Sequence, residues 1–335
     1  MSITIRDVAR HAGVSVSTVS RVMNDSSPVH ADKRRLVLEA AETLGYMPNP
    51  AARSLLGKRT GGLGVLLPFV SGEFFSALLN GLDQAAQDNG FFLVVSTSHS
   101  KPAEFRKAVQ VLNKRVDGLV VMAPNMDSDD AASIVKTEMP VVFVNTYAEG
   151  LAADVINFDN YEGARDLTRH LIGEGHRHIA LVKGPPQAGD AHERARGYRD
   201  AMAEARLSTA GLEFNGGFSR EAGIRATEAV LAAPTRPTAI VAANDYCALG
   251  IVNALRQAGV SVPEEVSVGG FDGLPSTAYT DPPLTTVEVP MNEIGYRAIT
   301  RLVARLNDRL EAHRTEVFPV RLVVRNSIVA GQYTG

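Results

Sequence analysis

Residues 14–24, with the sequence VSVSTVSRVMN, decide how the N-terminal part of the chain folds. Apolar side chains recur there at the spacing of one helix face, at Val19, Val22 and Met23. The opposite face carries Val16, Ser17 and Arg21. Ser15 precedes the first helical residue, where its hydroxyl can accept a hydrogen bond from a free amide of the first turn. The stretch therefore predicts an amphipathic helix with short side chains and one arginine on its outer face.

A second short helix is predicted immediately before this one, within residues 4–13 (TIRDVARHAG). Thr4 and Asp7 have the S/T-x-x-D/E spacing, which is close to a capping box, and Gly13 can end a helix in the left-handed conformation. Two short helices joined by a glycine turn are typical of the helix-turn-helix of DNA-binding proteins. A helical hairpin without a ligand has the same pattern, so further features must distinguish the two.

Two more helices are predicted in the N-terminal segment. The first turns an apolar face inward at Leu36, Ala40 and Leu44. The second covers about residues 49–56, with Asn49 as its cap, Pro50 at its first helical position and Gly57 at its end. Because a helix of one or two turns is not stable alone, we expect the second to form only against a partner.

Basic residues are concentrated in the first sixty positions. Residues 1–60 contain nine Lys or Arg and five Asp or Glu, a net charge of +4. The remaining 275 residues carry 25 basic and 32 acidic groups, a net charge of −7. Because DNA attracts a positively charged surface, this distribution favours DNA binding by the N-terminal segment alone.

From residue 63 onward, short apolar runs alternate with helical patterns. Strands are predicted at 63–67, 91–95, 118–122, 141–144, 178–182, 238–242, 266–271 and 284–289. Helices are predicted between them and at 291–310, followed by edge strands within 317–324. Because this alternation is typical of parallel sheets, we expect an α/β body with two doubly wound parallel-sheet lobes.

The composition also bears on the cellular compartment. Cys247 is the single cysteine, so no internal disulfide can form, which is usual in a reducing cytoplasm. The N-terminus lacks a signal pattern, and no apolar run approaches the roughly 20 residues that span a bilayer. We therefore expect a cytoplasmic protein with no membrane partner.

Five motifs within the first 55 residues together resemble one protein family. They are IRDVA at 5–9, AGVS at 12–15, TVSRV at 18–22, GYMPN at 45–49 and ARSL at 52–55. The combination closely resembles the lactose-repressor/galactose-repressor family of bacterial transcription regulators, and the resemblance continues along almost the whole chain. It implies an N-terminal all-α helix-turn-helix domain with a hinge helix. It also implies lobes similar to periplasmic sugar-binding proteins, with three crossovers between them.

The resemblance divides the chain into segments and implies how they work. We expect a DNA-binding domain at 1–57 with its hinge helix at about 49–56, a linker at 58–62, and an effector-binding and dimerisation domain at 63–335. The lobes should comprise about 63–160 with 291–320, and about 161–289 with 321–335. Family members are ligand-controlled regulators, most often repressors, that bind a near-palindromic operator in double-stranded DNA. Because family tetramers use an added C-terminal helix, we expect a homodimer here.

The resemblance also implies which side chains contact the operator. Operator preference is set in the family at the positions that match Val16, Ser17 and Arg21, where an arginine can bond guanine O6 and N7 together. Phosphate is contacted at the positions that match Ser15, Thr18, Ser20 and Asn24. The full set of candidate DNA contacts is Thr4, Ser15, Val16, Ser17, Thr18, Ser20, Arg21, Asn24, Asn49, Ala52 and Leu55.

A ligand site is expected in the body, because open parallel sheets bind ligands at the carboxyl ends of their strands. The candidates there are Phe74, Phe75, Asp190, Arg194, Phe218, Asn244 and Asp272. Arg194 matches the effector-binding arginine of the family, whose fork can hold two hydroxyls or a carboxylate. The pair Asp159 and Asn160 matches another position near the pocket. Asp245 is expected only to cap the helix that begins there.

These residue types favour a sugar or sugar derivative, because polyols need many directed hydrogen bonds. A nucleobase or nucleoside effector is the alternative, although Ala188 stands where a purine-binding relative has a basic contact. A DNA-tethered sugar-metabolising enzyme is a further interpretation, but the chain lacks motifs such as G-x-S-x-G and H-E-x-x-H. We expect no catalytic residue, cofactor or metal site. Residues 176–178 are predicted to form a surface turn, and Cys247 to pack in the interior.

Leu55 gives the first testable prediction. In the family, the matching leucine enters the minor groove at the operator centre, where an apolar wedge kinks the DNA. Leu55→Ala should therefore weaken operator binding strongly while leaving the circular dichroism spectrum unchanged. Titration of a labelled operator measures the effect, and an unchanged affinity would contradict the wedge role.

Overall fold

The computed structural model describes residues 3–24, 28–46, 59–99, 101–126, 128–137, 139–148, 150–308 and 312–331. The chain divides into two compact units, Met1–Thr60 and Gly61–Gly335, and each is described by itself. The hinge helix expected at about 49–56 lies outside the described residues.

In the part of the first unit that the structure describes, three helices pack around a small apolar core. They are α1 (Ile5–Ala12), α2 (Val16–Asn24) and α3 (Ala31–Leu44). The core side chains are Val8, Ala9, Val19, Val22, Val37, Ala40 and Ala41. Gly13 joins α1 to α2 with a φ of 64°, a conformation that glycine adopts without strain. The two helices and the glycine turn predicted from the sequence are confirmed.

The buried face of α3 differs from the predicted one. Leu36 is 40% exposed, so the expectation that it points inward is wrong. The face that packs in the core carries Val37, Ala40, Ala41 and Leu44. These residues follow the helix period, whereas Leu36 lies about 100° around the helix axis from Val37.

Two six-stranded sheets form the framework of the second unit. The strands are β1 (Gly62–Leu67), β2 (Phe92–Thr97), β3 (Gly118–Met122), β4 (Val141–Val144), β5 (Asp154–Phe158), β6 (Ile179–Lys183), β7 (Glu213–Asn215), β8 (Ala239–Ala242), β9 (Ser267–Asp272), β10 (Thr285–Glu288), β11 (Thr315–Phe318) and β12 (Arg321–Val323). Lobe 1 holds the sheet β11-β5-β4-β3-β1-β2, and lobe 2 holds the sheet β12-β10-β9-β8-β6-β7. Within the described residues, β12 runs antiparallel to β10 and the other neighbouring strands are parallel.

The described chain passes between the two sheets three times. It leaves lobe 1 after β5, returns to it after β10, and crosses again between β11 and β12. The α/β body with two doubly wound, mainly parallel lobes is therefore confirmed. The carboxyl ends of β1, β3 and β4 and those of β6, β8 and β9 supply the loops described below.

Helices pack on these sheets. They are α4 (Glu73–Asp88), α5 (Pro102–Leu112), α6 (Ser128–Val135), α7 (Asn160–Gly173), α8 (Gly189–Glu204), α9 (Arg220–Leu231), α10 (Asp245–Gln257) and α11 (Met291–Leu306). A 3-10 helix covers Pro275–Tyr279. In lobe 1, α4 packs on α11, and in lobe 2, α7 packs on α8 and α9 on α10.

The sequence pattern did not predict β5 or β7. β5 is buried along its whole length, but Asp154 and Asn157 interrupt its apolar run. Asp154 is tolerated there because Arg301 and Arg305 each donate to its carboxylate at 2.7 Å. β7 is only three residues long, which is too short for a periodic signal.

His176 contradicts the surface turn predicted at 176–178. The side chain is buried, with Nδ1 2.9 Å from the Thr238 hydroxyl and Nε2 3.1 Å from the Ser267 hydroxyl. Nε2 also lies 3.0 Å from the carbonyl oxygen of Val329. The imidazole therefore joins the loop before β6 to sheet residues and to the C-terminal segment, and desolvation lowers its pKa. Cys247 is buried in α10, as predicted.

The contact between α4 and α11 generates a second prediction. A Cβ at Gly81 would overlap the carbonyl oxygen of Asn292, so the two helices approach closely only because residue 81 is glycine. Gly81→Ala should lower the free energy of unfolding by about 2 kcal/mol or more. Gly173→Ala is the matched control, because a Cβ there meets nothing within 4 Å. Urea unfolding checks both, and equal midpoints for the two variants would contradict the close approach.

Candidate functional site

The N-terminus of α2 carries a group of hydroxyls. Ser15 Oγ accepts a hydrogen bond from the Thr18 amide at 3.1 Å, which confirms the predicted helix cap. The same oxygen lies 2.8 Å from the hydroxyls of both Ser17 and Thr18. Three hydroxyl groups are thereby held together at the positive end of the helix dipole.

The outer face of α2 has the composition that its sequence predicts. Val16 is 41% exposed, and Ser17 and Arg21 are exposed as well. Thr18 and Ser20 are half-buried beside the inward Val19 and Val22. The face therefore presents one apolar side chain, hydroxyls and one guanidinium to a ligand. Asn49, Ala52, Leu55 and the side chain of Asn24 lie outside what the structure describes.

Thr4 is tied to the first turn of α1. The Asp7 carboxylate accepts from the Thr4 amide at 3.0 Å and from the Thr4 hydroxyl at 2.6 Å. These bonds hold the pKa of Asp7 below its ordinary value. They form the carboxylate half of the predicted capping box, and they fix where the chain enters the three-helix unit.

In the second unit, Arg194 on α8 is the centre of a buried polar cluster. Its Nε donates to Asn160 Oδ1 at 2.8 Å, and its Nη1 donates to the Ala243 carbonyl oxygen at 2.7 Å. Its Nη2 donates to Asp272 Oδ1 at 3.4 Å. The guanidinium carbon also lies 3.7 Å from the centre of the Phe271 ring. The arginine is therefore held from several sides by groups of the chain itself.

Asn244 and Asp272 meet at the carboxyl ends of β8 and β9. Asn244 Nδ2 donates to Asp272 Oδ2 at 3.2 Å and to the Phe218 carbonyl oxygen at 3.3 Å. Asn244 Oδ1 accepts from the Cys247 amide at 2.9 Å, so Asn244 caps α10. Asp272 has a φ of 119°, which the surrounding bonds must stabilise. The structure brings together Arg194, Asn244 and Asp272, as expected for residues near the carboxyl ends of parallel strands.

The expectation that Asp245 only caps a helix is wrong. The cap is Asn244, and the Asp245 side chain is buried one position further along. Its Oδ2 accepts from the Leu274 amide at 2.7 Å, and its Oδ1 accepts from the Thr286 hydroxyl at 2.6 Å. Asp245 therefore holds the loop after β9 against β10.

Lobe 1 contributes to the same cluster through the segment after β4. Asn145 Nδ2 donates to Asp190 Oδ2 at 2.9 Å, and the Tyr147 hydroxyl accepts from Asn160 Nδ2 at 2.6 Å. The sequence analysis missed Asn145 and Tyr147. Both follow the carboxyl end of β4, so the rule that found Asp272 would have found them if it had been applied to every strand.

The aromatic candidates occupy two places. The Phe74 ring lies edge-on to Phe75, with ring centres 5.4 Å apart, and to Phe158 at 6.4 Å. Both Phe74 and Phe75 are half-buried against the lobe 1 core. The Phe218 ring belongs to the arginine cluster, since its centre lies 5.6 Å from the Arg194 guanidinium carbon.

Burial controls the electrostatics of this cluster. Desolvation raises the pKa of Asp245, and the nearby Asp272 raises it further. Desolvation also raises the pKa of Asp272, although the Arg194 guanidinium opposes that effect. Burial raises the pKa of the Tyr147 phenol above its ordinary value. The described residues include no group of three or more His, Cys, Asp or Glu side chains placed to hold a metal ion.

Further hydrogen bonds connect the two lobes beside this cluster. The Glu73 carboxylate accepts from the Ser276 amide at 2.9 Å, and the Glu73 amide donates to the Tyr246 hydroxyl at 3.1 Å. The Gly189 amide donates to the Pro124 carbonyl oxygen at 3.1 Å. The cleft between the lobes is therefore bordered by bonds that a change in lobe orientation would stretch or break.

Comparison with known proteins decides the family. Residues 4–49 match bacterial regulatory proteins of the lacI family, and residues 168–328 match the periplasmic binding protein-like domain. The chain is 36% identical over 334 residues to the HTH-type transcriptional regulator GalR of Salmonella typhimurium. The alignment covers 99% of this chain and 98% of GalR. The chain belongs to the lacI family.

Two further similarities support this assignment. The lacI-family chain is 33% identical over 328 residues to the HTH-type transcriptional repressor PurR of Photobacterium profundum, with 97% of this chain and 98% of PurR covered. It superposes on a crystal structure of the lac repressor dimer bound to operator and the anti-inducer ONPF with a TM-score of 0.89 and 30% identity. That match covers 98% of this chain and 100% of the lac repressor chain.

The family settles the class of function. The lacI-family chain is a DNA-binding transcriptional regulator with a ligand-binding body, and it is not an enzyme. The interpretation as a ligand-controlled repressor holds, and the nucleobase alternative is not favoured over it. None of the described helices combines the length and apolar character that a bilayer span requires.

A third prediction comes from the pairing of Arg194 with Asp272. Arg194→Met keeps most of the side-chain volume but leaves the buried Asp272 carboxylate without its cation. This should destabilise the second unit by about 3 kcal/mol. Adding Asp272→Asn to Arg194→Met should recover part of that loss, because the unpaired charge is removed. Urea unfolding measures the cycle, and a second substitution that only adds to the loss would contradict the pairing.

Proposed function

We propose that this chain represses transcription from a near-palindromic operator and that a sugar or sugar derivative, bound between its lobes, sets its affinity for that DNA. The observation that carries this proposal is the buried cluster around Arg194. There, polar side chains from lobe 1 (Asn145) and lobe 2 (Asp190, Asp272) converge at the carboxyl ends of the strands.

The outer face of α2 is the proposed reader of the operator. Arg21 can donate to O6 and N7 of a guanine, Val16 can touch a thymine methyl, and Ser17 can bond several base edges. The neighbouring hydroxyls of Ser15 and Thr18 lie at the N-terminus of α2, a position that suits a phosphate oxygen. The remaining proposed DNA contacts are Thr4, Ser20, Asn24, Asn49, Ala52 and Leu55.

The chemistry of the cleft supports a polyol as the effector. Sugars offer hydroxyls that both donate and accept, and the cluster offers carboxylates, carboxamides and a guanidinium. The proposed effector contacts are Phe74, Phe75, Asp190, Arg194, Phe218, Asn244 and Asp272, joined by Asn145, Tyr147 and Asn160. The Phe218 ring can lie against the apolar face of a sugar ring.

The hydrogen bonds between the lobes suggest how binding is communicated. An effector that bonds to both lobes either replaces hydrogen bonds between the lobes or adds new ones to them. Those bonds include Glu73 with Ser276 and Asn145 with Asp190. A change in the orientation of the lobes moves lobe 1 relative to lobe 2. Because the first strand of lobe 1, β1, directly follows the DNA-binding segment in the chain, such a movement can reach that segment. The coupling is a free energy of about 1–3 kcal/mol in typical cases, and it acts equally in both directions.

We propose a homodimer formed in part through the edge of the lobe 1 sheet. β2 is the last strand of that sheet, and its Phe92 and Val95 side chains are 53% and 42% exposed. An open strand edge with exposed apolar side chains is a surface that a second copy can cover. Two-fold symmetry of the protein then matches the two half-sites of the operator. A cytoplasmic location beside the nucleoid is part of the same proposal.

The fourth prediction tests the DNA half of the proposal. Selection from random duplexes at low salt should enrich a near-palindrome, because phosphate contacts are strongest there. Arg21→Ala should then lose about 1–3 kcal/mol of discrimination at one base pair in each half-site. Lys107→Ala, which removes an exposed positive charge from α5, serves as the control. Enrichment of no sequence, with or without a sugar panel, would contradict the proposed function.

A further inference from the structure

We propose that the effector is an uncharged sugar or polyol and that the cleft rejects sugar phosphates and sugar acids. This inference rests on the proposed function, because it specifies the class of sugar that the same cleft binds. It follows from three features of the cleft, namely its surplus of carboxylates, the committed hydrogen bonds of Arg194, and the occupied N-termini of α7, α8 and α10.

Carboxylates outnumber cations in the cluster. Asp190 and Asp272 are both buried, and Arg194 is the guanidinium beside them. Lys183 on β6 and Arg196 and Arg199 on α8 lie beside their own partners, Glu213 and Glu193. An anionic ligand would therefore enter a low-dielectric site that already holds more negative than positive charge.

Arg194 has few N–H groups left for an anion. Three of its five N–H groups are directed to Asn160, Ala243 and Asp272, and its plane rests on Phe271. Because its single Nε–H is bonded to Asn160, the guanidinium can hold a phosphate or carboxylate through Nε and Nη2 only by leaving Asn160. That move leaves a buried acceptor without its partner, which costs free energy. A hydroxyl needs only one of the remaining N–H groups.

Three helix N-termini at the cleft, those of α7, α8 and α10, are occupied by the chain itself. A helix N-terminus is the usual backbone site for a phosphate. Here Asp159 accepts from the Glu162 amide of α7 at 2.9 Å, Asp190 accepts from the Ala191 amide of α8 at 2.8 Å, and Asn244 caps α10. Two of these three acceptors are carboxylates, so they repel a phosphate as well as occupying its place.

A neutral sugar meets none of these obstacles. Its hydroxyls can donate to the carboxylate oxygens of Asp190 and Asp272, whereas a phosphate or carboxylate offers only acceptors to them. Charge-assisted bonds from a hydroxyl to a buried carboxylate are among the stronger ones in proteins. The raised pKa values of Asp245 and Asp272 agree with a site where further negative charge is unfavourable.

Calorimetric titration of the purified full chain tests the inference. The probes are galactose, glucose, fructose, ribose and lactose, with the phosphate monoesters of the four monosaccharides and with gluconate as the sugar acid. We expect at least one neutral sugar to bind, and its anionic derivative to bind at least about tenfold more weakly.

Two variants show whether charge causes the difference. Asp190→Asn removes one carboxylate and should reduce the affinity ratio between the neutral sugar and its phosphate by about threefold or more. Glu228→Gln removes the same charge from an exposed position on α9 and should leave the ratio unchanged. Because the ratio is compared, a general loss of affinity in Asp190→Asn does not obscure the result.

The outcomes separate this inference from the proposed function. A phosphate ester or sugar acid that binds more tightly than its neutral parent would overturn the charge inference and leave a sugar-controlled repressor intact. Equal ratios for Asp190→Asn and Glu228→Gln would also overturn it. If no probe binds although operator DNA does, the sugar assignment and the inference fall together.

Discussion

The buried ion pair between Arg194 and Asp272 is the interaction on which the body of this regulator depends. Through Arg194, the start of α7 at Asn160, the end of β8 at Ala243 and the end of β9 are joined inside lobe 2. A buried charge is costly unless it is paired and hydrogen-bonded, so each of these elements has one favoured position. Groups of the chain itself therefore organise the cleft.

The same constraint explains why the proposed ligand site and the lobe contacts occupy one place. Asn145 and Tyr147 extend the polar network from lobe 2 into lobe 1, through Asp190 and Asn160. Buried polar groups tolerate few alternative arrangements, so a small change at the cleft favours a different lobe orientation as a whole. The first unit, whose α2 is the proposed reader of DNA, can then respond to an effector bound in the second unit.

Much of this molecule could be predicted because its signals are local. Helix caps such as Ser15 and glycine turns such as Gly13 depend on neighbouring residues. A buried strand can be predicted from an apolar run of about five residues. The predictions failed where distant partners decide the outcome. Asp154 interrupts the apolar pattern of β5, and the arginine that pairs with it comes from α11. His176 is buried because its hydrogen-bond partners come from distant parts of the chain. Polar residues satisfied by remote groups look like surface residues in the sequence.

The central claim is that operator DNA and a sugar control each other's binding through this cleft. It is tested most directly by measuring the sugar affinity with and without saturating operator, and the operator affinity with and without saturating sugar. Linkage requires the two ratios to be equal, and we expect a factor on the order of ten to a hundred. A sugar that binds with the same affinity in the presence and absence of operator would contradict the account.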